Sequence, residues 1–408
     1  MNSSGRTQPD RCPGVLAVHQ AADGGLARVR LPGGVLSSAQ LRVLAAASSE
    51  LGDGNLELTS RGNIQIRALR PGAPRLLSDR LYAAGLLPSI THERVRNILA
   101  SPLSGLDEHS LYDVLPLAAA LDSLVCTTPA LAALPGRFLF ALDDGRGDMS
   151  AQGADVAVRV LPGGSHATLL LGGAQAAPQR GEGGDLPPRS GEPSGSRVQL
   201  EEVPSAMVAA AEAFLAERAA QGSEAWRIAE LAGGAEAIYK RLGLTPTVSV
   251  EPGSSVVLAG SHGRALVVAV PLGSLSQEQA AVLSKLADEV RVTPWRSVVL
   301  AGVGADAVAE LVTAGLVVES ESPWNGVTAC AGKPGCAKAL ADVRADAREV
   351  MPRIPGRQAV HWSGCERRCG KPTGGFVDLV ALGKGYAIDG VPVDDELAQA
   401  VAAARGAR

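Results

Sequence analysis

LARVRLPGGVLSSAQLRVLAAASSELGDGNLELTSRGNIQIRAL, residues 26–69, has a counterpart in ALVVAVPLGSLSQEQAAVLSKLADEVRVTPWRSVVLAG, residues 265–302. Without a gap, Pro32, Gly34, Leu36, Ser37, Gln40 and Leu44 match Pro271, Gly273, Leu275, Ser276, Gln279 and Leu283. After a gap of five residues, Thr59 matches Thr293. Matches that run through a turn and into a helix favour an internal repeat, and chance similarity between two ordinary β-α-β units is the alternative.

Each copy predicts a small β-α-β half-domain. Apolar alternation predicts a strand at 27–31 and 266–270, and a second strand at 55–66 and 290–300. A helix that starts at a serine N-cap lies between them, at 37–47 and 276–288. Two such half-domains could complete one sheet between them.

Length and composition bound the class of protein. A chain of 408 residues can form two to four domains, because a domain usually takes about 100 to 200 residues. The formal net charge of -4 gives no indication of nucleic-acid binding. No window reaches the roughly 18 apolar residues of a membrane span, and residues 1–14 lack the apolar core of a signal peptide. We therefore expect a cytoplasmic protein.

Four domains are predicted along the chain. The half-domains are placed at 10–75 and 250–310, and two α/β domains at 80–245 and 315–408. Strands around 138–142 and 156–161 and helices at about 117–124, 203–220 and 224–242 support the α/β prediction. Residues 172–196, rich in Gly, Pro and Ser, are expected to form a surface loop or linker without an assigned role.

Four cysteines form the strongest chemical signal. Cys330-x5-Cys336 is followed after 28 residues by Cys365-x3-Cys369, with Gly and Pro around both pairs. Four thiolates on Gly-rich loops suit an iron–sulfur cluster, whose sulfurs accept backbone N–H groups. Zinc is an alternative, although the first spacing exceeds the usual C-x2–4-C, and two disulfides are disfavoured in a reducing compartment. Cys12 and Cys126, which lack a partner at ligand spacing, are interpreted as packing residues.

Basic side chains suggest an anion-binding site. Guanidinium groups match carboxylates bidentately, and a strand at 55–66 would project Arg61, Asn63 and Gln65 to one face. The further candidates are Arg67, Arg70, Arg94, Arg96, Asn97 and Arg137, and solvated surface charge is the alternative for Arg67 and Arg70. Cations near the cysteines would stabilise a negatively charged cluster: Lys333, Lys338, Arg367, Arg368 and Lys371. His92 and His361 are possible ligands of a separate metal, but a structural role is commoner for a lone histidine.

Together, the repeat and the cysteine motif resemble the nitrite and sulfite reductase superfamily over about residues 12–385. Within it, TPWRSVVL at 293–300, the 408-residue length and the SGC-x3-C ending are most similar to the precorrin-3B synthases of aerobic cobalamin biosynthesis. The resemblance implies an α+β fold, with two ferredoxin-like half-domains pairing into one sheet and two α/β domains of the sirohaem and iron–sulfur type.

Site residues are carried over by position in the motifs. The resemblance implies that Cys330, Cys336, Cys365 and Cys369 hold a [4Fe-4S] cluster, with Cys369 at the ligand that bridges to sirohaem in the reductases. It implies catalytic and substrate-binding roles for Arg61 and Arg96, which match the arginines over the haem face. The neighbouring Asn63 and Asn97 and the basic Arg137 complete the expected substrate site. Leu139 stands where sulfite reductases have a second basic residue, which weakens an anion-reducing site.

By this resemblance, the chain is an oxidoreductase that uses O2 to hydroxylate C20 of precorrin-3A and closes the ring A γ-lactone. The implied cofactors are a [4Fe-4S] cluster, a possible mononuclear non-haem iron and NADH as an indirect electron source. No Gly-rich dinucleotide fingerprint is evident, so a separate electron-donor protein is expected. No nucleic-acid or membrane partner is expected, and the repeat permits a monomer.

Two other functions are kept as alternatives. A sirohaem-dependent sulfite or nitrite reductase would bind sirohaem and reduce one of these anions. A non-catalytic protein that uses a cluster or zinc to bind a tetrapyrrole or a partner would show no turnover under any electron supply.

Overall fold

A computed structural model describes residues 12–173, 194–251, 253, 256–354, 356, 358–372, 375–393 and 396–406. The chain forms two compact units. The first, here called the cysteine unit, comprises Gly14–Val29, Val35–Leu86 and Val257–Arg408. The second, here called the central unit, contains Arg30–Gly34 and Leu87–Val256, with residues 12–13. Throughout the described residues, every helix is too short or too polar to span a bilayer.

The first half-domain lies in the cysteine unit. Its elements are β1 His19–Ala21, β2 Gly24–Val29, β3 Val35–Ser37, α1 Ser38–Leu51, β4 Leu56–Leu58, β5 Ile64–Leu69 and α2 Ala73–Ala83. Ser37 is the N-cap of α1, as predicted: its side chain accepts from the Gln40 N–H, and the Gln40 side chain accepts from the Ser37 N–H. The Gln40 amide also donates to the Ala84 carbonyl at 3.0 Å, which ties α1 to the end of α2.

The central unit is a six-stranded sheet covered by helices. Its elements are β6 Ile98–Ala100, α3 Leu115–Thr127, β7 Phe140–Asp143, β8 Val156–Val160, β9 His166–Leu171, β10 Ser194–Gln199, α4 Val203–Ala220, α5 Gly234–Leu242 and β11 Val248–Ser249. The sheet order is β11-β10-β9-β8-β7-β6, with β6, β7 and β8 parallel and the other pairs antiparallel. Phe138, Phe140 and Phe214 form the aromatic centre of its core.

Two predictions in the central unit need correction. The helix predicted at 224–242 begins only at Gly234, because Ile228–Glu230 form a separate short 3-10 turn and Gly233 is left-handed at φ 74°. The predicted loop at 172–196 includes Ser194–Gly195–Ser196, which are in β10 because they pair with β9 and β11. The rest of that loop, 174–193, lies outside the described residues.

The second half-domain repeats the first element by element. It consists of β12 Gly260–His262, β13 Ala265–Ala269, β14 Ser274–Leu275, α6 Gln277–Leu286, β15 Glu289–Val292, β16 Ser297–Ala301 and α7 Ala305–Thr313. Ser276 and Gln279 form the same capping box as Ser37 and Gln40, so the second predicted N-cap is confirmed. The Gln279 amide donates to the Ala314 carbonyl at 3.0 Å, as Gln40 does to Ala84. The repeat is therefore preserved down to single hydrogen bonds.

The half-domains form two sheets rather than the single sheet that we predicted. One has the order β1-β2-β5-β4-β14 and the other β12-β13-β16-β15-β3, so each half-domain lends its short strand to the other's sheet. Leu36 of β3 lies opposite Val290, and Leu275 of β14 lies opposite Leu56. Each exchanged strand covers an edge that would otherwise expose unpaired N–H and C=O groups.

The second strand predicted in each copy is in fact a tight hairpin. Residues 59–63 turn the chain between β4 and β5, and residues 293–297 turn it between β15 and β16. Gly62 in the first turn is left-handed at φ 61°, and such a residue breaks strand pairing. Arg61 therefore lies in a turn and not on the face of a continuous strand.

The C-terminal part of the cysteine unit has its own sheet and core. Its elements are β17 Val327–Ala329, α8 Val343–Val350, β18 Val360–Ser363, β19 Val377–Ala381, β20 Tyr386–Ile388, β21 Val391–Val393 and α9 Leu397–Gly406. The strands follow chain order, with β17, β18 and β19 parallel and the last two pairs antiparallel. Trp362 is fully buried and packs edge-to-face on Tyr386 at 5.2 Å. This core supports the ends of β17 and β18, where the cysteine loops begin.

The strand exchange generates a stability prediction. Leu36→Ala and Leu275→Ala should each lower the free energy of unfolding by about 2–5 kcal/mol, because both side chains are fully buried at the exchanged strands. The same change at Leu76, which is exposed on α2, is the control and should cost less than about 0.5 kcal/mol. Urea unfolding followed by circular dichroism measures all three. Equal, small effects at the three leucines would contradict the structural role of the exchange.

Candidate functional site

Both cysteine pairs begin at the same edge of the C-terminal sheet. Cys330 directly follows β17, and Cys365 comes two residues after the end of β18. These strands are parallel, with Ala329 opposite Trp362, and the Cys330 N–H donates to the Trp362 carbonyl at 2.9 Å. Because the carboxyl ends of parallel strands meet at one edge, the topology brings together two loops that are far apart in sequence.

Glycines allow the first loop to fold tightly. The Cys336 N–H donates to the Gly332 carbonyl at 2.8 Å, and the Ala339 N–H donates to the Cys336 carbonyl at 3.0 Å. Gly332 is left-handed at φ 64°, and a Cβ there would lie 2.8 Å from Val343 Cγ2. A larger residue would therefore displace either the loop or the start of α8.

Gly364 joins the two loops and contacts a sulfur. Its N–H donates to Cys330 Sγ at 3.1 Å, and its carbonyl accepts from the Leu340 N–H at 2.8 Å. A Cβ at this position would lie 2.7 Å from Ala339 Cβ, so only glycine fits without a shift. A backbone N–H aimed at a cysteine sulfur stabilises the thiolate and tunes a bound cluster.

Three thiols of the motif act electrostatically on the fourth, Cys369. Burial raises the pKa of Cys369 above its ordinary value, and Cys330, Cys365 and Cys336 each raise it further. Three of the four are half-buried, and Cys369 is exposed. The structure therefore brings all four predicted ligands into one neighbourhood.

The chemistry of the donor set fits an iron–sulfur group. Four thiols lie on Gly-rich loops, and the Gly364 N–H is directed at Cys330 Sγ. Thiolates hold such clusters, and backbone N–H groups donate to their sulfurs. In the described part of the chain, a compact group of carboxylates is formed by Asp143, Asp144 and Asp148 of the central unit.

A buried ion pair between Glu57 and Arg344 contacts the start of the first cysteine loop. Arg344, in the first turn of α8, contacts both carboxylate oxygens of Glu57 at 2.5 Å, and its Nε donates to the Cys330 carbonyl at 3.2 Å. Glu57 lies on β4 opposite Ser274 of β14, whose hydroxyl donates to it at 2.9 Å. Sequence analysis missed both residues, because they are 287 positions apart and no local spacing connects them.

Arg368, one of the predicted cations near the cysteines, forms ion pairs with two carboxylates. Its Nε lies 2.6 Å from Asp378 and its Nη1 3.2 Å from Glu366, and these hydrogen bonds raise its pKa. Arg67, for which surface charge was the alternative, forms a bidentate pair with Asp23 and donates to the Gly335 carbonyl at 2.8 Å. Arg67 thus contacts the first cysteine loop directly.

The two histidines have different environments. His92 in the central unit is engaged at both ring nitrogens, by Ser89 and Thr91 on one side and by the Thr128 carbonyl on the other, which indicates a structural role. His361 on β18 is fully buried, with Nδ1 2.8 Å from the Thr328 hydroxyl. Burial lowers the pKa of His361 to about 3, helped by Arg296, so the ring is neutral at physiological pH.

The candidate substrate-binding residues are divided between the two units. In the cysteine unit, Arg61 and Asn63 lie in the turn between β4 and β5, where the Thr59 hydroxyl accepts from both backbone N–H groups. In the central unit, Arg96 is buried and pairs bidentately with Asp122 at 2.6 and 2.7 Å. The neighbouring Asn97 donates to the carbonyls of Arg94, Gly136 and Phe138.

Arg137 and Leu139 are close in sequence, but the first is exposed and the second is buried. The exposed Arg137 places its guanidinium 5.2 Å from the ring centre of Trp226, a cation–π contact. Leu139 is buried, and its backbone N–H donates to Asp155 at 2.9 Å. Leu139 is therefore part of the apolar interior of the central unit.

One known protein family matches the two half-domains, and one solved structure matches most of the chain. The family described as Nitrite/Sulfite reductase ferredoxin-like half domain matches residues 19–82 and 259–314, which are the two half-domains. The solved structure of the Mycobacterium tuberculosis NirA protein has the same fold, with a TM-score of 0.68 at 20% identity over 89% of this chain and 74% of that one. These matches confirm the predicted resemblance to the nitrite and sulfite reductase superfamily.

Two curated relatives cover almost the whole chain. The precorrin-3B synthase of Sinorhizobium sp is 27% identical over 400 residues, which are 92% of this chain and 82% of the relative. The ferredoxin–nitrite reductase of Synechococcus elongatus is 29% identical over 416 residues, or 90% and 78% of the two chains. Both names are those of enzymes, and the two identities are comparable.

The Glu57–Arg344 pair generates the prediction for this site. Glu57→Gln should lower the free energy of unfolding by about 3–5 kcal/mol, because it leaves a buried guanidinium without its counter-ion. Glu310→Gln, which breaks the exposed pair with Lys285, is the matched control and should cost less than about 1 kcal/mol. Urea unfolding compares the two variants. If both cost the same, the ion pair does not anchor the cysteine loop.

Proposed function

We propose that this chain is a precorrin-3B synthase-like oxygenase of cobalamin biosynthesis, which hydroxylates C20 of precorrin-3A with O2 and forms the ring A γ-lactone. The observation that carries the proposal is the four-cysteine site combined with Leu139, a buried apolar residue at a position where the resemblance to sulfite reductases implies a basic one. The similarity to the Sinorhizobium precorrin-3B synthase over 92% of the chain supports it.

Cys330, Cys336, Cys365 and Cys369 would hold a [4Fe-4S] cluster. When bound, such a cluster supplies one electron at a time to the reaction. The protein contributes the Gly364 N–H at Cys330 Sγ and the Arg344 guanidinium at the Cys330 carbonyl. The first is a hydrogen bond to a ligand sulfur, and the second holds the backbone of the same ligand residue in place.

Binding of the substrate would use guanidinium groups, because a precorrin carries many carboxylates. Arg61 is half-buried in its turn, and Asn63 beside it is buried, so this turn can offer a charge and an amide from a rigid hairpin. For Arg96, the ion pair with Asp122 favours positioning of the β6 segment over direct contact with substrate. Arg137, stacked on Trp226, would meet a peripheral carboxylate.

The overall reaction needs two electrons and two protons for each O2. One oxygen atom enters the substrate and the other leaves as water, and lactone closure adds no further oxygen. NADH would supply the electrons through a separate electron-donor protein, since the sequence lacks a Gly-rich dinucleotide fingerprint. A mononuclear iron that activates O2 belongs to the proposal, and we assign it no ligands.

A sirohaem-dependent sulfite or nitrite reductase is the second candidate. The observation in its favour is the 29% identity to the Synechococcus ferredoxin–nitrite reductase over 90% of this chain. That reading predicts stoichiometric sirohaem and reduction of nitrite or sulfite by a dithionite-reduced dye.

The reaction itself gives the first test. Purified protein incubated with precorrin-3A, O2 and a reducing system should yield a product that is heavier by one oxygen atom. Incubation with 18O2 should put the label in the product, which mass spectrometry detects. Unchanged precorrin-3A from a preparation with an intact cluster, together with nitrite or sulfite reduction, would overturn the oxygenase in favour of the reductase.

Two variants separate the cluster from the substrate site. Cys365→Ser should lose both iron and turnover, whereas Cys126→Ser, at a half-buried cysteine outside the motif, should keep both. Arg61→Ala should keep its iron and raise the apparent KM for precorrin-3A by about tenfold, as expected from one lost charge-assisted contact. Arg80→Ala, at an exposed arginine on α2, is its control. Unaltered kinetics in Arg61→Ala would remove that residue from the site.

A further inference from the structure

The turns at residues 59–63 and 293–297 are built alike. Thr59 and Thr293 each donate their N–H to the residue four positions later, at 2.9 Å in both copies. Their carbonyls accept from the Gly62 N–H at 3.1 Å and from the Arg296 N–H at 3.3 Å. Arg296 therefore occupies the place that Gly62 has in the first half-domain.

This position demands a left-handed backbone. Gly62 has φ 61° and Arg296 has φ 58°. Glycine adopts such a conformation freely, whereas a residue with a Cβ is strained there. Non-glycine residues held in this region are concentrated at functional sites, where the surrounding structure maintains the strain.

Two glycines make room for the Arg296 side chain. A Cβ on Gly273 would lie 2.5 Å from Arg296 Cδ, and a Cβ on Gly370 would lie 2.9 Å from its Nη2. Both glycines are themselves left-handed. The side chain thus passes close beside two backbone segments, where a larger residue would displace it, and it ends at the second cysteine loop.

The guanidinium ends next to a predicted cluster ligand. Arg296 Nη2 donates to the Gly370 carbonyl at 2.8 Å, and Gly370 directly follows Cys369. Glu57, Arg344 and His361 are the other charged or titratable groups that act on it electrostatically. Glu57 already pairs with Arg344, so its charge is balanced. The charge of Arg296 therefore leaves these residues with a net positive charge near the cysteine loops.

We propose that Arg296 is a positioning residue for the cluster, which clamps the Cys369–Gly370 loop through the Gly370 carbonyl and places a fixed positive charge beside it. This inference rests on the proposed iron–sulfur function. A nearby cation stabilises the more negative, reduced state of a cluster and raises its reduction potential. A clamp on the ligand loop slows the loss of iron.

Arg296→Gly tests the clamp, because glycine is the residue that the first copy uses at the same φ. The thermal midpoint should stay close to the wild-type value, since relief of the backbone strain offsets the lost hydrogen bond to Gly370 and the greater freedom of glycine in the unfolded chain. Amide hydrogen exchange of residues 366–372 should speed up, iron release to a chelator should become about tenfold faster, and the potential should move to a more negative value. Arg80→Ala is the control and should change none of these.

A second variant covers the case in which Arg296→Gly does not fold. Arg296→Lys keeps the charge and the left-handed backbone, so it should keep a near-wild-type potential while releasing iron faster. Wild-type exchange, iron release and potential in a folded Arg296→Gly protein would overturn the inference, as would wild-type iron release in a folded Arg296→Lys protein. If the wild-type protein binds no cluster, the proposed function fails, and loop exchange alone then decides whether the clamp exists.

Discussion

Reciprocal strand pairing between the two half-domains is the constraint on which the rest of the cysteine unit depends. The short strands β3 and β14 complete each other's sheets through Leu36 opposite Val290 and Leu275 opposite Leu56. The second of these pairings sets Glu57 opposite Ser274, and Glu57 then holds Arg344 of the C-terminal part. Arg344 in turn donates to the Cys330 carbonyl. A sheet register in the repeat is thereby connected to the loop that carries the first cysteine.

Close backbone approach is the second requirement of the site. The two cysteine loops start at the ends of adjacent parallel strands and meet at Gly364, whose N–H contacts a cysteine sulfur. The room for this contact comes from glycines, and the charge around it comes from arginines fixed by carboxylates or carbonyls. Strong fixation of charge suits a cluster, whose potential depends on hydrogen bonds and on nearby ions.

Features of the fold and the site that depend on neighbouring residues could be predicted from the sequence, whereas contacts between residues far apart in sequence could not. The repeat and both serine N-caps are local patterns that the sequence predicted correctly. The cysteine motif is also a local pattern, and its role as a set of cluster ligands stays a prediction. The hairpins at 59–63 and 293–297 were missed because the apolar positions of the two flanking strands stay in phase across each turn, and Arg296 is not a residue that predicts a left-handed backbone. The strand exchange was missed because strands of two or three residues carry almost no pattern. The Glu57–Arg344 pair depends on tertiary structure alone.

The central claim is that the four cysteines hold a [4Fe-4S] cluster in a protein that acts on a tetrapyrrole without keeping sirohaem. Purification without oxygen, followed by a visible spectrum, iron and acid-labile sulfide analysis, and mass analysis of extracted tetrapyrrole, tests it most directly. We predict a broad cluster absorbance, about four iron and four sulfide per chain, and no stoichiometric sirohaem. Zinc without sulfide would contradict the cluster, and one sirohaem per chain would contradict the oxygenase in favour of a reductase.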